Sequence, residues 1–237
     1  LILKKDKALM QQFALHGVIP ALITPRDNAR DCVDHVRLAE FARHLLDAGI
    51  HGIFPTSSTG EAPLLSVDER TRVIATVAEA ISGEIPVLGN AGASSTATSI
   101  RLARDAEAAG ASHLAILPMH FAPVSPDELY GYFAAVSDSV SIPTILYNYP
   151  ARTNGQNIPA VVAAKLANSH QVIGIKDSSG NLSNTIGYME ACGPEFAVFI
   201  GHEGLILPTL AMGGAGTICS AANIVPTQIV ALYDAFR

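Results

Sequence analysis

Lysine is scarce in this sequence, and only one lysine sits where it could act as a nucleophile. Lys4, Lys5 and Lys7 fall in a polar N-terminal stretch, and Lys165 falls in a helical pattern. Lys176 alone follows an uninterrupted apolar run, Val172-Ile173-Gly174-Ile175. Such a run reads as a buried strand. Desolvation at its end penalises the ammonium and favours the neutral amine, the form that attacks a carbonyl to give a Schiff base. The alternative is a structural lysine paired with Asp177 or with a carboxylate on a neighbouring strand. Position alone leaves both open.

Two further groups carry chemistry. Tyr147 stands near the end of the preceding apolar run, where a phenol could shuttle protons for an adjacent lysine; it could equally be a core tyrosine with its hydroxyl at a rim. Ser58-Thr59-Gly60-Glu61 puts hydroxyls and backbone amides just ahead of a helical pattern. That arrangement suits a carboxylate, which a helix N-terminus also attracts. An ordinary capping turn would look the same. Glu61 lies too close to such an anion site to bind substrate and is expected to be structural, bonded to backbone.

Positioning these residues requires a regular scaffold, and the sequence has one. Short apolar runs cover residues 16–25, 51–55, 85–90, 112–118, 142–149, 172–176, 196–201 and 216–221. Helical periodicity fills the gaps at 34–48, 66–81, 96–109, 125–136, 159–167, 182–191, 204–212 and 226–236. Ser66-Val67-Asp68-Glu69 reads as a capping box, Ser125-Pro126 as an N-cap and first turn, and Gly110 as a helix stop. Strict alternation implies a parallel sheet covered by helices. Eight units at this length favour an α/β fold of the (β/α)8 TIM-barrel type, with residues 1–15 as an N-terminal segment and 16–237 as the catalytic barrel. Active sites of such barrels lie at the C-terminal ends of the strands, which is where Lys176, Tyr147 and Ser58 fall.

Composition narrows the function further. Of 237 residues, 49% are hydrophobic and 15% charged, so a large core forms without metals or disulfides. The formal net charge of −6 gives no basic cluster for nucleic acid. The three cysteines, Cys32, Cys192 and Cys219, show no metal spacing and read as free thiols. No apolar run is long enough to cross a bilayer, and residues 1–10 lack a signal-peptide core, so a cytoplasmic protein is expected. His120, His202, Glu61 and Glu203 near the rim lack His-x-His or Glu-x-x-His grouping, so no metal is expected. Gly89-Asn90-Ala91-Gly92 lacks the spacing of a dinucleotide loop. No cofactor is expected.

In this order the residues resemble the dihydrodipicolinate synthase/N-acetylneuraminate lyase family of class I aldolases. The resemblance runs from Gly17-Val18-Ile19-Pro20-Ala21 to Asn223-Ile224-Val225-Pro226. Its most specific pieces are Ser58-Thr59-Gly60-Glu61, Tyr147-Asn148-Tyr149-Pro150-Ala151-Arg152-Thr153 and Gly174-Ile175-Lys176-Asp177. It implies that Lys176 forms the Schiff base and Tyr147 relays protons. Ser58 and Thr59 would hold the carboxylate of pyruvate, with Ser58 also bonding Tyr147, and the Ile218 strand would lie against the keto acid. It also implies a homo-oligomer, a dimer or tetramer.

The sequence departs from the family pattern in several places. Ser57 replaces the first glycine of G-[ST]-T-G-E. Met119-His120-Phe121 stands where synthase-type members carry a tyrosine pair, one of which reaches across a dimer interface, so that relay is absent or His120 takes its place. Val67, Arg70 and Thr98 occupy the positions that bind feedback lysine in some synthases, so no lysine inhibition is expected. Arg152 matches the arginine that synthases use for the carboxylate of the second substrate. Lys176-Asp177-Ser178-Ser179-Gly180 looks more like members acting on 2-keto-3-deoxy sugar acids. The C-terminal helices usual in the family are absent or not covered. The reading that results is a pyruvate-dependent aldolase cleaving or forming a 4-hydroxy-2-oxo acid of the keto-deoxy sugar acid type, with an aldehyde as the second partner. The alternatives are condensation of pyruvate with aspartate semialdehyde, dehydration of a keto-deoxy sugar acid, a metal-dependent aldolase, and a non-catalytic keto-acid sensor.

Overall fold

A computed structural model describes residues 15–237 except 28, 30 and 120. The expected N-terminal segment, Leu15 apart, and His120 therefore lie outside the described residues. Seven strands form one parallel sheet: β1 (Gly17–Pro20), β4 (Leu88–Asn90), β5 (His113–Ile116), β6 (Thr144–Asn148), β7 (Val172–Asp177), β8 (Ala197–Ile200) and β9 (Gly216–Cys219). Their order is β1-β9-β8-β7-β6-β5-β4. A two-stranded antiparallel ribbon, β2 (Arg26–Asp27) with β3 (Cys32–Val33), leaves the sheet after β1.

The segment 51–55, expected as a full strand, lies between β1 and β4 but joins them only through the bridges Ala21–Phe54 and Ile53–Val87. Backbone bonds run to both sides, from Phe54 to Pro20 and from Leu88 to Ile53, each 2.9 Å. Pro20, Pro55 and Pro86 have no N–H to give, which interrupts the ladders here. The sheet is curled and TIM-barrel-like.

Eight α-helices pack on the sheet among the described residues: α1 (His35–Asp47), α2 (Val67–Ile81), α3 (Thr96–Ala108), α4 (Pro126–Ser137), α5 (Ala160–Ser169), α6 (Leu182–Cys192), α7 (Ile206–Ala211) and α8 (Pro226–Phe236). Capping boxes form at Ser66/Glu69 and Ser125/Glu128, where the sequence places them. Gly110 follows α3 at φ +94°, a helix stop that favours glycine. None of these helices is long and apolar enough to cross a membrane.

Strand residues are buried on both faces, as a parallel sheet under helices requires. Alternation sorts them. Ile19, Phe54, Leu88, Ala115, Ile145, Tyr147, Phe199 and Ile218 pack together on the inner side. Leu114, Ile116, Leu146, Ile175 and Val198 face the helices. Full burial of each large apolar side chain contributes roughly 1.5–3 kcal/mol.

Candidate active site

Lys176 and Tyr147 are brought together by strand register. β6 and β7 pair with Tyr147 opposite Lys176, so both point inward at the C-terminal end of the sheet. Lys176 is 3% exposed and Tyr147 2%. The Nζ of Lys176 lies 4.2 Å from the centroid of the Tyr147 ring and 5.4 Å from that of Phe54. Lys176 forms no ion pair or hydrogen bond with another described residue. The structural alternative for this lysine, a pair with Asp177, does not occur.

Asp177 cannot reach it because the next residue of a strand faces the other way. Its carboxylate accepts from Thr185 Oγ1 at 2.7 Å, Asn148 Nδ2 at 3.0 Å and Asn184 Nδ2 at 3.2 Å, and from the amide and hydroxyl of Ser179. Five donors satisfy a fully buried carboxylate without a cation. The same network ties β6 and β7 to α6. Tyr188 extends it by donating to the Ile158 carbonyl at 2.6 Å, and burial pushes its phenol well up.

Ser58 and Thr59 arrive from the turn after segment 51–55. Ser58 Oγ is 3.4 Å from the Tyr147 hydroxyl, which matches the contact implied by the resemblance. The amides of Gly60, Glu61 and Ala62 fold back on Ser57 and Ser58. Those of Ser58 and Thr59 donate to no described group, and both residues line the cavity. The following helix is a single 3-10 turn, Ala62–Leu64, and α2 begins only at Val67. Glu61 corrects the sequence expectation: it is exposed, has φ +56°, and its side chain bonds no backbone among the described residues.

The turn itself is strained. Thr56 is fully buried at φ +55°, a region that a β-branched residue enters at a cost of about 1–3 kcal/mol. Gly60 is needed at the other end, since a Cβ there would lie 2.7 Å from the Leu22 carbonyl oxygen. Sequence reading did not single out Thr56, because a positive φ leaves no mark in composition.

Ser58, Thr59, Tyr147, Arg152, Lys176 and Ile218 all line one cavity of about 470 Å3, within the range of small-molecule sites. Arg152 is exposed on a 3-10 turn, Pro150–Arg152, and its guanidinium has no partner among the described residues. Ser178, Ser179, His202 and Ser220 complete the polar side. Glu203 lines the cavity but is occupied: it accepts from the Ser220 hydroxyl at 2.8 Å and from the Ser220 and Ala221 amides. Burial opposes its ionisation, yet these bonds outweigh burial and hold the carboxyl below the usual range. No three His, Cys, Asp or Glu side chains among the described residues group as metal ligands. A second cavity, of about 360 Å3, lies beside α2 and α3 and is lined by Val67, Arg70 and Thr98 among others.

The model of the dihydrodipicolinate synthetase family matches residues 14–237. A 4-hydroxy-tetrahydrodipicolinate synthase of Methanosphaerula palustris is 37% identical over 223 residues, 93% of this chain and 76% of the relative. That of Methanoculleus marisnigri is 38% identical over 224 residues, with the same shares. Among solved structures, dihydrodipicolinate synthase from Aquifex aeolicus superposes with a TM-score of 0.90 at 30% identity, covering 94% of this chain and 75% of the other. A prophage protein of the same family from E. coli, solved in complex with pyruvate, superposes with a TM-score of 0.90 at 31% identity, covering 94% and 76%.

Proposed function

The chain belongs to the dihydrodipicolinate synthetase family, whose members are class I carbon–carbon lyases, and we propose from that premise that it condenses pyruvate with aspartate semialdehyde through a Schiff base on Lys176. The relatives favour this reading over sugar-acid cleavage, reversing the order in which the residues alone ranked the two. The observation that carries the mechanism is the buried, unpaired amine of Lys176 beside Tyr147 in a polar cavity.

Lys176 Nζ adds to C2 of pyruvate, and the carbinolamine loses water to become the imine. The imine draws electrons from C3, a C3 proton leaves, and the enamine that forms attacks the aldehyde carbon. Tyr147 moves protons at the nitrogen and oxygen atoms that change charge, and the Ser58 hydroxyl extends that path. The free amides and hydroxyls of Ser58 and Thr59 hold the pyruvate carboxylate. Ile218, on β9, lines the same cavity and lies against the keto acid. Arg152 meets the carboxylate of the semialdehyde, a contact for which a guanidinium is well suited. Attack of the semialdehyde's own amine on C2 would then release the lysine.

One feature supports the sugar-acid reading as a second possibility. Ser178, Ser179, His202 and Ser220 give the far side of the cavity more hydroxyl and imidazole groups than a semialdehyde needs. The assay that separates the two offers pyruvate with aspartate semialdehyde, and separately 2-keto-3-deoxy sugar acids, following pyruvate consumption or release. Turnover only of the sugar acids would overturn the synthase assignment. We also read segment 51–55 as the second position of a ring of eight, since it bridges β1 and β4. Leu64 and Phe121, 73% and 84% exposed, support a homo-oligomer.

A further inference from the structure

We propose that Asn90 is a positioning residue that holds Ser58 against Tyr147, a claim that rests on the Schiff-base reading above. Asn90 ends β4, is buried, and does not line the cavity. Its Nδ2 donates to the carbonyl oxygen of Thr56 at 2.9 Å, and its Oδ1 accepts from the Gly92 amide at 2.9 Å. Its own amide reaches Thr56 Oγ1 at 3.4 Å. Thr56 is the residue that turns the chain at φ +55°, so Asn90 binds the strained turn through both backbone and side chain.

The opposite end of the turn is held as firmly. Thr24 Oγ1 donates to the Gly60 carbonyl at 2.7 Å. Between these two clamps hang Ser58 and Thr59, which bear the hydroxyls and free amides at the cavity. Releasing the Asn90 clamp lets Thr56 relax toward negative φ, and the arc then swings Ser58 away from the phenol. The contact at risk is already long at 3.4 Å, so a small shift breaks it.

Asn90→Asp keeps the size of the side chain and the acceptor for Gly92 but sets an acceptor oxygen against the Thr56 carbonyl. Asn90→Ala removes both bonds. The expected result is a kcat lowered roughly 10- to 100-fold, with the thermal transition intact and a borohydride-trapped pyruvate adduct still forming on Lys176. A double-mutant cycle distinguishes positioning from general damage. In a Tyr147→Phe background, where the Ser58–Tyr147 contact no longer exists, Asn90→Asp should cost little more. Thr56→Gly, at ease with a positive φ, should restore part of the loss in Asn90→Ala; this pair carries the test if Asn90→Asp folds poorly. A kcat within about twofold of the unaltered protein, losses that add in full to those of Tyr147→Phe, or no rescue by Thr56→Gly would each overturn the proposal. If the unaltered protein traps no pyruvate on Lys176, the functional reading itself fails and this claim falls with it. Normal trapping with an unaffected Asn90→Asp variant removes this claim alone.

Discussion

Lys176 and Tyr147 are register partners on adjacent parallel strands, with the amine of one 4.2 Å from the ring centroid of the other. The pairing holds an amine and a phenol side by side on one face of the sheet. Strand-borne groups of this kind are fixed by the sheet hydrogen bonds, so their geometry follows from the fold.

Tyr147→Phe removes the phenolic proton and leaves the ring. Loss of a positioned proton carrier costs about 10²–10⁴-fold. The expected variant therefore turns over far more slowly yet still gives a Lys176 adduct on borohydride reduction with pyruvate. Steady-state kcat beside adduct mass measures both, and full activity would remove Tyr147 from the mechanism.

Arg152→Ala separates the two substrates. An exposed guanidinium with no partner among the described residues is available to meet a ligand carboxylate. Its removal should raise KM for aspartate semialdehyde roughly 10-fold or more and leave KM for pyruvate nearly unchanged. An equal rise for both would place Arg152 at the pyruvate end instead.

Free lysine should not inhibit. The cavity that Val67, Arg70 and Thr98 line presents a guanidinium and hydroxyls, and none of its lining residues is a carboxylate. A ligand ammonium would meet like charge there. Initial rates with millimolar lysine test this, and a hyperbolic fall in rate would contradict it.

His51 should make stability depend on pH. Its Nδ1 accepts from the Val18 amide at 3.2 Å, so the ring must be neutral there. Burial and then the nearby His16 lower its pKa below 6.5, against a smaller opposing pull from Asp234. A depressed histidine adds stability above its unfolded value that is lost as pH falls below about 6.5. His35 is depressed by burial and Arg72 and acts in the same direction. The thermal midpoint should therefore drop between pH 7 and pH 5. His51→Asn, which keeps an acceptor for Val18 but does not titrate, should drop less; an equal drop would clear His51.

Much of the fold was legible in the sequence because parallel strands under helices leave continuous apolar runs and helices leave a 3.6-residue period. All eight helices lie where that period places them, and Ser66 and Ser125 cap as their spacing demands. Segment 51–55 carries the apolar signature of a full strand, while Pro55 and the flanking Pro20 and Pro86, visible in the sequence, break the ladder. Lys176 was legible for the same reason that it is unusual, a lone lysine closing an apolar run. The Asn90–Thr56 contact was not, since its residues stand 34 positions apart, and neither was the positive φ of Thr56, which leaves no mark in composition. Glu61 was misread because its neighbours in sequence suggested a structural acid, whereas its positive φ turns the side chain toward solvent.

The central claim is the imine on Lys176. Borohydride reduction with and without pyruvate, followed by peptide mass spectrometry, tests it most directly. The account predicts a pyruvate-dependent adduct on the peptide holding Lys176 and none in a folded Lys176→Ala variant. A folded protein that gives no adduct, or an adduct that persists when Lys176 is replaced, would contradict it.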